Sequence, residues 1–316
     1  MATPWVRVLS LLTTVVVFQC NWAVKKNNRL DRTVVANKRG VVAFVLISFG
    51  VAWLWLLLAV VMLGYSATNP AVQLPFALAP GAAAVIVRRW ITREGFGDAG
   101  LRPRVRRNWR WYLVAWLAPL GLAAATVAVA VVTGLWRPGS AAPGSDSSPS
   151  LLAEIPILLV VVVVLTPLYW GEEFGWTSYL RPRVYPDRPL NSVLVTGLVW
   201  AIWHYPLAFL GYINFSNVAL GLAIWTFSFL SQETILAWLY IHSRSIWTAS
   251  LAHAGNNMVL SLLAGQLLAT KLGDMVLIAV IALPLSGVAT WIVLTGRLRP
   301  GALHPVDESE DQRQIA

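Results

Sequence analysis

Three short polar motifs in the second half of the chain combine the side chains that amide hydrolysis needs. They are the adjacent acids Glu172 and Glu173, then His204, then the pair His253 and Asn257. A carboxylate can take a proton from water, an imidazole can orient that water, and amide donors can stabilise the oxyanion that develops. Glu172, His204 and His253 could instead hold a zinc ion with a water at an open position. The residue types alone leave both chemistries open.

Helices must bring these side chains together, because each motif lies inside or at the end of a separate apolar segment. His253 and Asn257 are four residues apart, which puts both on one face of a helix. Glu172 and Glu173 follow the apolar run 151–170. A charge in the middle of a spanning helix costs about 3 kcal/mol, so this pair needs partners, water or a function. A rise of about 1.5 Å per residue from the basic loops places the three motifs at similar depth.

The composition is that of a membrane protein. Hydrophobic residues make up 57% of the 316 residues, charged residues make up 12%, and the mean hydropathy is +0.65. Apolar segments long enough to cross a bilayer, which takes about 20 residues, recur along the whole chain. We predict an all-α polytopic membrane helix bundle of about 8–9 transmembrane helices. The predicted spans are 5–23, 41–64, 74–90, 111–135, 151–175, 190–210, 218–241, 246–266 and 274–295.

The net charge of +10 reflects orientation signals and does not indicate a nucleic-acid partner. The basic residues cluster in alternate connections, and the other connections hold only Arg137 and Lys271. The positive-inside rule then places the N-terminus outside and the C-terminus in the cytoplasm. We therefore predict a multi-pass protein of the cell membrane, whose partners include membrane lipids. The single cysteine, Cys20, excludes an internal disulfide and a cysteine-based metal cluster.

A segment rich in Pro, Gly and Ser, 136–150, is predicted to be a flexible loop that divides the chain. Residues 1–135 before it form the N-terminal transmembrane helices, which hold no acid in their middles. Residues 151–296 after it are predicted to form a second membrane domain, which holds nearly every polar group within the membrane. Residues 297–316 are predicted to be a disordered cytoplasmic tail.

The three motifs resemble those of the CPBP (Abi) intramembrane proteases, relatives of the type II CAAX prenyl endopeptidases. GEEFGWTSYL, WAIWHYPLAF and WTASLAHAGNNM correspond in order to the family patterns EExxxR, FxxxH and HxxxN. The resemblance implies that Glu172 activates the water, that Glu173 supports the site, and that His204, His253 and Asn257 orient the water or stabilise the oxyanion. It also implies a membrane-associated peptide or membrane-protein substrate, prenylated CAAX ends among the candidates, and a cavity open to the cytoplasmic leaflet. Because the chain has no H-E-x-x-H pair, we favour a site without a tightly bound zinc.

Two positions depart from the family patterns. Trp200 replaces the Phe, which keeps an aromatic wall, and Thr177 replaces the Arg that would pair with Glu173. Arg181 is the candidate substitute partner for Glu173. If the chemistry has been lost, the protein is a non-catalytic scaffold or immunity protein. A proton-coupled transporter that uses the two glutamates and Glu233 is the third hypothesis, although the chain lacks the two similar halves typical of transporters.

Overall fold

The computed structural model describes residues 30–137, 151–268 and 272–299, and the secondary structure within these ranges is helical. The helices are α1 Leu30–Leu56, α2 Pro70–Ile86, α3 Val105–Val132, α4 Leu151–Glu173, α5 Arg181–Val184, α6 Pro189–His204, α7 Val218–Ser243, α8 Ile246–Gly255, α9 Leu262–Leu268 and α10 Asp274–Leu294. The buried core extends from Phe44 in α1 to Leu298, just after α10, so helices from both halves of the chain pack around it. The predicted division at 136–150 stays a prediction.

Seven helices within the described ranges are long and apolar enough to cross a membrane. They are Lys38–Met62, Pro70–Ile91, Val105–Val132, Ala153–Val184, Pro189–Phe209, Val218–Ser243 and Asp274–Leu294. These helices confirm the prediction of an all-α, polytopic membrane protein. The predicted span 5–23 lies outside the described residues, as do most of the loop 136–150 and of the C-terminal tail.

The predicted span 246–266 is helical but is not one of these seven. It is divided into α8, a π-helical segment Asn256–Ser261, and α9. A second π-helical segment, Phe174–Leu180, directly follows the two glutamates at the end of α4. The wide turn of a π-helix is rare and occurs frequently at functional sites. Both segments adjoin the residues singled out in the sequence, whereas two further π-helical segments, Leu57–Met62 and Val87–Ile91, lie elsewhere in the chain.

Glycines allow the helix that carries the glutamates to approach α2 closely. A Cβ atom at Gly175 would lie 2.5 Å from the Cβ atom of Pro80, and one at Gly81 would lie 2.6 Å from the carbonyl oxygen of Gly171. Such distances leave no room for a side chain, so the two backbones are in direct contact. Small residues at helix contacts are a usual device in membranes, where helices associate through close packing. The contact holds the end of α4 in place against the N-terminal helices.

A buried arginine joins the loop after α2 to the π-helical segment that follows the glutamates. Arg88 is fully buried, and its Nη1 donates to the carbonyl oxygen of Gly95 at 2.9 Å and to Asp98 Oδ1 at 2.7 Å. Its Nη2 donates to the carbonyl oxygen of Ser178 at 3.3 Å. Partial burial would raise the pKa of Asp98, but the hydrogen bond and charge of Arg88, with the charge of Arg183, lower it below its usual range. Arg88 therefore links the N-terminal helices to the π-helical segment that follows the glutamates.

We expect Arg88→Gln to reduce the free energy of unfolding by about 3 kcal/mol, because it removes one member of a buried, charged hydrogen-bond network. Arg89→Gln is the matched control, since the neighbouring Arg89 is exposed and should tolerate the same change. The measurement is unfolding of each purified variant in detergent, followed by fluorescence of the tryptophans. Equal losses for the two variants would contradict a specific role of Arg88 in joining the halves.

Candidate active site

The structure brings the three polar motifs together in the interior of the bundle. Glu173 Oε1 accepts a hydrogen bond from His253 Nδ1 at 2.9 Å, which joins α4 to α8. Glu172 Oε2 accepts a hydrogen bond from Trp200 Nε1 at 2.9 Å, which joins α4 to α6. The rings of Trp200 and His253 complete the triangle, with their centroids 5.1 Å apart. Residues that are far apart in the sequence therefore form one cluster.

The two glutamates are buried and are not a hydrated pair at the end of a helix. Glu172, Glu173 and His253 are only 6%, 1% and 3% exposed. Burial of carboxylates away from water is unfavourable unless hydrogen bonds or opposite charges compensate. Trp200 and His253 supply one hydrogen bond each, so the two acids have different partners and different surroundings.

Hydrogen bonds to the protein determine which nitrogen of each histidine is available. His253 Nδ1 faces a carboxylate oxygen, and His204 Nδ1 lies 3.0 Å from the carbonyl oxygen of Trp200. Both partners are acceptors, so in each ring Nδ1 must carry the hydrogen. In the neutral imidazole the lone pair then lies on Nε2. Each histidine can therefore accept a hydrogen from a water or bind it in a fixed orientation.

Aromatic rings hold His204 in position. Its ring lies 4.5 Å from that of Phe229 and 4.7 Å from that of Trp203, measured between centroids. Phe76 from α2 and Trp225 from α7 pack at 5.8 Å each. The side chain is only partly buried. The aromatic rings limit the motion of the imidazole while part of it remains accessible.

Comparison with protein families shows what the segment that contains the three motifs is similar to. Residues 152–259 match the model of the type II CAAX prenyl endopeptidase Rce1-like family, and that segment contains all three motifs. This part of the chain is similar to the Rce1-like family. No curated protein matches the chain. The match confirms the relationship predicted from the motifs and supports an intramembrane endopeptidase in general terms.

In the Rce1-like domain, the arginine of the family pattern is replaced by Thr177. A buried chain of polar side chains, formed by Thr177, Arg181 and Glu233, stands in its place. Thr177 Oγ1 donates to Glu173 Oε2 at 2.5 Å and accepts from Arg181 Nη1 at 3.2 Å. The same Nη1 forms an ion pair with Glu233 Oε1 at 2.9 Å. Arg181 was predicted to pair with Glu173 itself. It reaches Glu173 only through Thr177, and its charged partner is Glu233.

The same chain of polar side chains explains the role of Glu233 in the Rce1-like domain. Glu233, considered from the sequence only as part of a proton-coupled transporter, is fully buried in the middle of α7. It neutralises Arg181, which in turn stabilises the hydroxyl that binds Glu173. Arg181 Nη2 and Glu233 Oε2 are buried without a hydrogen-bond partner, so the pair is not fully satisfied. A pair of this kind is costly to break by removing one partner.

Two tyrosines near the glutamates were missed in the sequence. The ring of Tyr169 lies 4.8 Å from that of His253, and its hydroxyl interacts with the side chain of Asn257. Tyr212, in the loop between α6 and α7, is 42% exposed. Partial burial, and then the negative charge of Glu172, raise the pKa of Tyr212, so its hydroxyl remains protonated at neutral pH. Tyr169 lies three residues before Glu172 in the same helix, and this spacing could have shown that the two side chains are neighbours. Tyr212 lies in a loop, where the sequence gives no such indication.

A zinc site is the alternative that the sequence left open for Glu172, His204 and His253. No group of three or more His, Cys, Asp or Glu side chains within the described residues could hold a metal ion. Glu172 Oε2 accepts a hydrogen bond from an indole nitrogen, and His253 Nδ1 is bound to Glu173. Glu172, His204 and His253 do not form such a group. Their hydrogen bonds nevertheless leave Glu172 Oε1 and the Nε2 atoms of both histidines available, and a metal-binding histidine usually donates its other nitrogen to an acceptor of this kind. The chemistry considered below uses protein groups.

Proposed function

We propose that the protein is an intramembrane endopeptidase that cleaves membrane-associated peptides, with Glu172 as the general base. The observation that carries the proposal is the cluster in the Rce1-like domain, where Glu173 binds His253 and where Trp200 binds both Glu172 and the ring of His204. Ionisable groups within a membrane domain are expensive and usually have a function. Their chemistry fits the endopeptidase class of the family.

In the proposed reaction, one water lies between Glu172 Oε1 and the Nε2 atoms of the histidines. As its oxygen attacks the carbonyl carbon of the peptide bond, its proton passes to the Glu172 carboxylate. The tetrahedral intermediate then collapses, the carbon–nitrogen bond breaks, and Glu172 returns the proton to the leaving amine. Trp200 donates a hydrogen bond to Oε2 of Glu172 and so holds the carboxylate group in one orientation during the reaction. General acid–base catalysis of this kind contributes about 10²–10⁴-fold.

In its neutral form, each histidine has its one ring hydrogen directed at a protein acceptor and so has none on Nε2 to donate to an oxyanion. We therefore assign the oxyanion to the side-chain amide of Asn257, with the neighbouring Tyr169 hydroxyl holding that amide or donating directly. Donors that are already oriented before the reaction can stabilise the developing charge without reorganisation. His204 and His253 keep the role of orienting the water.

Glu173 is a positioning residue in this scheme. Both of its carboxylate oxygens accept hydrogen bonds, Oε1 from His253 and Oε2 from Thr177, so neither is available to take a proton from water. A carboxylate that binds Nδ1 of a histidine fixes the tautomer and the orientation of the ring. The substrate class, whether prenylated CAAX-type ends or unmodified membrane peptides, is part of the proposal and is tested by offering both.

The test is cleavage of prenylated and unmodified reporter peptides by the purified protein in detergent, with and without a chelator. We expect His204→Phe to lower the rate by about 10²-fold, since it keeps an aromatic ring among its neighbours but removes Nε2. His242→Phe is the matched control. His242 Nδ1 also lies close to the carbonyl oxygen of the tryptophan four residues earlier, at 2.8 Å, but its ring lies against Trp111 and away from the glutamates.

The outcomes separate the hypotheses for this chain. Cleavage by the wild type and His242→Phe but not by His204→Phe supports the proposed site. Equal cleavage by all three proteins indicates a contaminating protease and contradicts it. Absence of cleavage of both peptide classes favours the non-catalytic scaffold or immunity protein. A rate that falls with the chelator and returns with zinc would contradict the metal-free scheme.

A further inference from the structure

Arginines without acidic partners gather at one end of the bundle, around the start of α3 and the ends of α7 and α10. They are Arg102, Arg104, Arg106, Arg107, Arg244, Arg297 and Arg299. The described segments around these helix ends, 99–137, 234–268 and 275–299, contain no aspartate or glutamate. None of these arginines takes part in an ion pair within the described residues. This end of the bundle therefore carries a positive charge that the described part of the protein does not neutralise.

Tryptophans join the three helix ends into one surface. Trp111 of α3 packs edge-on against Trp238 of α7, with their ring centroids 5.2 Å apart. Trp238 in turn packs edge-on against Trp291 of α10, at 6.0 Å. The three helices also contact one another in pairs. The arginines at their ends therefore belong to one basic surface, termed here the arginine face.

Arg297 is held in position over this row of tryptophans. Gly296 has a φ of +69°, in the left-handed region, and the Arg297 amide donates to the carbonyl oxygen of Ile292 at 3.0 Å. The chain therefore turns sharply at the end of α10. The turn brings the Arg297 guanidinium over the ring of Trp291, 4.4 Å from its centroid. This contact orients a positive charge but does not neutralise it.

Two buried nitrogen donors next to Trp291 lack a hydrogen-bond partner within the described residues. They are Nε of Arg297 and Nε1 of Trp238. Buried donors are nearly always paired, because an unpaired donor costs the free energy of removing it from water. A ligand that accepts hydrogen bonds and carries negative charge would supply what these donors lack.

The start of α3 gives separate support for an anion at this surface. Arg106 and Arg107 lie in its first turn, and its N-cap, Arg104, has a left-handed φ of 50° and no capping hydrogen bond from its side chain. Positive charge at a helix N-terminus opposes the helix dipole, and a non-glycine residue with positive φ is unfavourable. Helix stability therefore does not explain these arginines. An anion bound to the same surface would offset both the dipole and the repulsion between them.

The surroundings of the arginine face favour a lipid headgroup as this anion. α3, α7 and α10 are all long and apolar enough to cross a membrane. Large apolar side chains next to the arginines are exposed, among them Trp291 at 44% and Leu294 at 80%. A small soluble anion would leave these side chains uncovered, whereas a phospholipid covers them with its acyl chains while its headgroup meets the arginines. Clusters of basic residues next to membrane spans attract anionic headgroups in the same way.

We propose that the arginine face binds the headgroup of an anionic phospholipid, with Arg297 as the central contact. The phosphate accepts hydrogen bonds from the Arg297 guanidinium, and its negative charge offsets the arginines at the three helix ends. A lipid bound there connects the start of α3 to the ends of α7 and α10. The proposal is independent of the proposed endopeptidase function, because these residues are not part of the catalytic cluster.

The test measures retention of lipid by the purified full-length protein and does not depend on cleavage. The protein in neutral detergent is equilibrated with equal amounts of phosphatidylglycerol and phosphatidylcholine, and the lipids that remain bound are counted by native mass spectrometry. Arg297→Gln removes the charge of the central contact, and Arg297→Lys keeps it. Arg89→Gln is the matched control, because Arg89 is also next to an exposed tryptophan, Trp90, but lies just after α2. Arg244→Gln is a second variant of the arginine face in case Arg297→Gln does not fold.

We expect the wild type to retain phosphatidylglycerol at least about tenfold more tightly than phosphatidylcholine, and Arg297→Gln to lower the affinity for phosphatidylglycerol about tenfold. Arg244→Gln should lower it about fivefold, because each arginine near a headgroup adds to the attraction. Arg297→Lys should keep most of the affinity. Arg89→Gln should change it less than about twofold, since a distant exposed charge is screened.

Equal retention of the two lipids would overturn the proposal, as would equal losses for Arg297→Gln and Arg89→Gln. Displacement of the bound lipid by glycerol phosphate, which has the charge but no acyl chains, would overturn the assignment to a lipid. The other acidic candidate is the C-terminal segment of the chain. A several-fold gain in lipid retention when its acids are replaced by the corresponding amides would mean that this segment, and not a lipid, occupies the arginine face. Those acids are Asp307, Glu308, Glu310 and Asp311.

Discussion

Glu172→Gln is expected to lower the rate of peptide cleavage by about 10³-fold, with a much smaller change in KM. The amide can still accept the hydrogen bond from Trp200 Nε1 and has nearly the same shape as the carboxylate. It cannot take a proton from water. The substitution therefore removes the proposed base while the packing around it is preserved, and the loss should fall on kcat.

Glu154→Gln is the control for this substitution. Glu154 lies in the first turn of the same helix α4, far from the catalytic cluster, so the same chemical change should leave cleavage unaltered. Initial rates for both variants over a range of reporter concentrations give kcat and KM separately. If Glu172→Gln retained more than about a tenth of the wild-type kcat, Glu172 would not be the base.

Hydropathy alone was sufficient to predict the class of fold and the position of the spans. Long apolar segments in this chain are interrupted by basic or Gly- and Pro-containing connections, and all seven helices found to be long and apolar enough coincide with predicted spans. The exception is the segment around His253, Asn256 and Asn257, where the structure forms two short helices and a π-helical segment. Hydropathy averages over a window and does not detect a local change of hydrogen-bond spacing within an apolar helix.

The contents of the candidate site were predictable because each motif pairs a polar side chain with a membrane segment. Which side chains contact one another was not, since this depends on how the helices rotate and tilt in the bundle. Arg181 illustrates the limit: its spacing from Glu173 permitted a direct ion pair, but the structure places Thr177 between them and Glu233 opposite. The choice of Glu233 required the position of α7, which lies 52 residues away in the chain.

Arg181→Met is expected to destabilise the protein by about 3–5 kcal/mol, because it leaves the carboxylate of Glu233 buried and without its charged partner. Arg181→Met combined with Glu233→Met should recover most of this loss, since two apolar side chains of similar length need no partner. Unfolding in detergent measures both free energies. Arg110→Met is the control, because Arg110 is exposed and should tolerate the same substitution.

Cleavage rates of the same single and double variants show whether Arg181 also contributes to catalysis. If the Arg181–Glu233 pair only stabilises the fold, the double variant should cleave at the wild-type rate. If it holds the Thr177 hydroxyl in position for Glu173, the double variant should be stable but slow, and Thr177→Val should be similarly slow while Thr177→Ser is not. We expect the second result, because Thr177 is the direct contact between this pair and the carboxylate that orients His253.

The same geometry predicts the effect of the family's arginine at position 177. Thr177→Arg would place a second guanidinium beside Arg181 in a fully buried site, where Glu233 already neutralises the first. We therefore expect Thr177→Arg to destabilise this chain and to reduce cleavage, and a simultaneous Arg181→Leu to relieve both effects. A gain in cleavage from Thr177→Arg alone would instead mean that the buried chain of polar side chains is an incomplete substitute and that the native enzyme is impaired. The two positions thus act as alternatives for one positive charge, and the energetic coupling between them measures how completely one replaces the other.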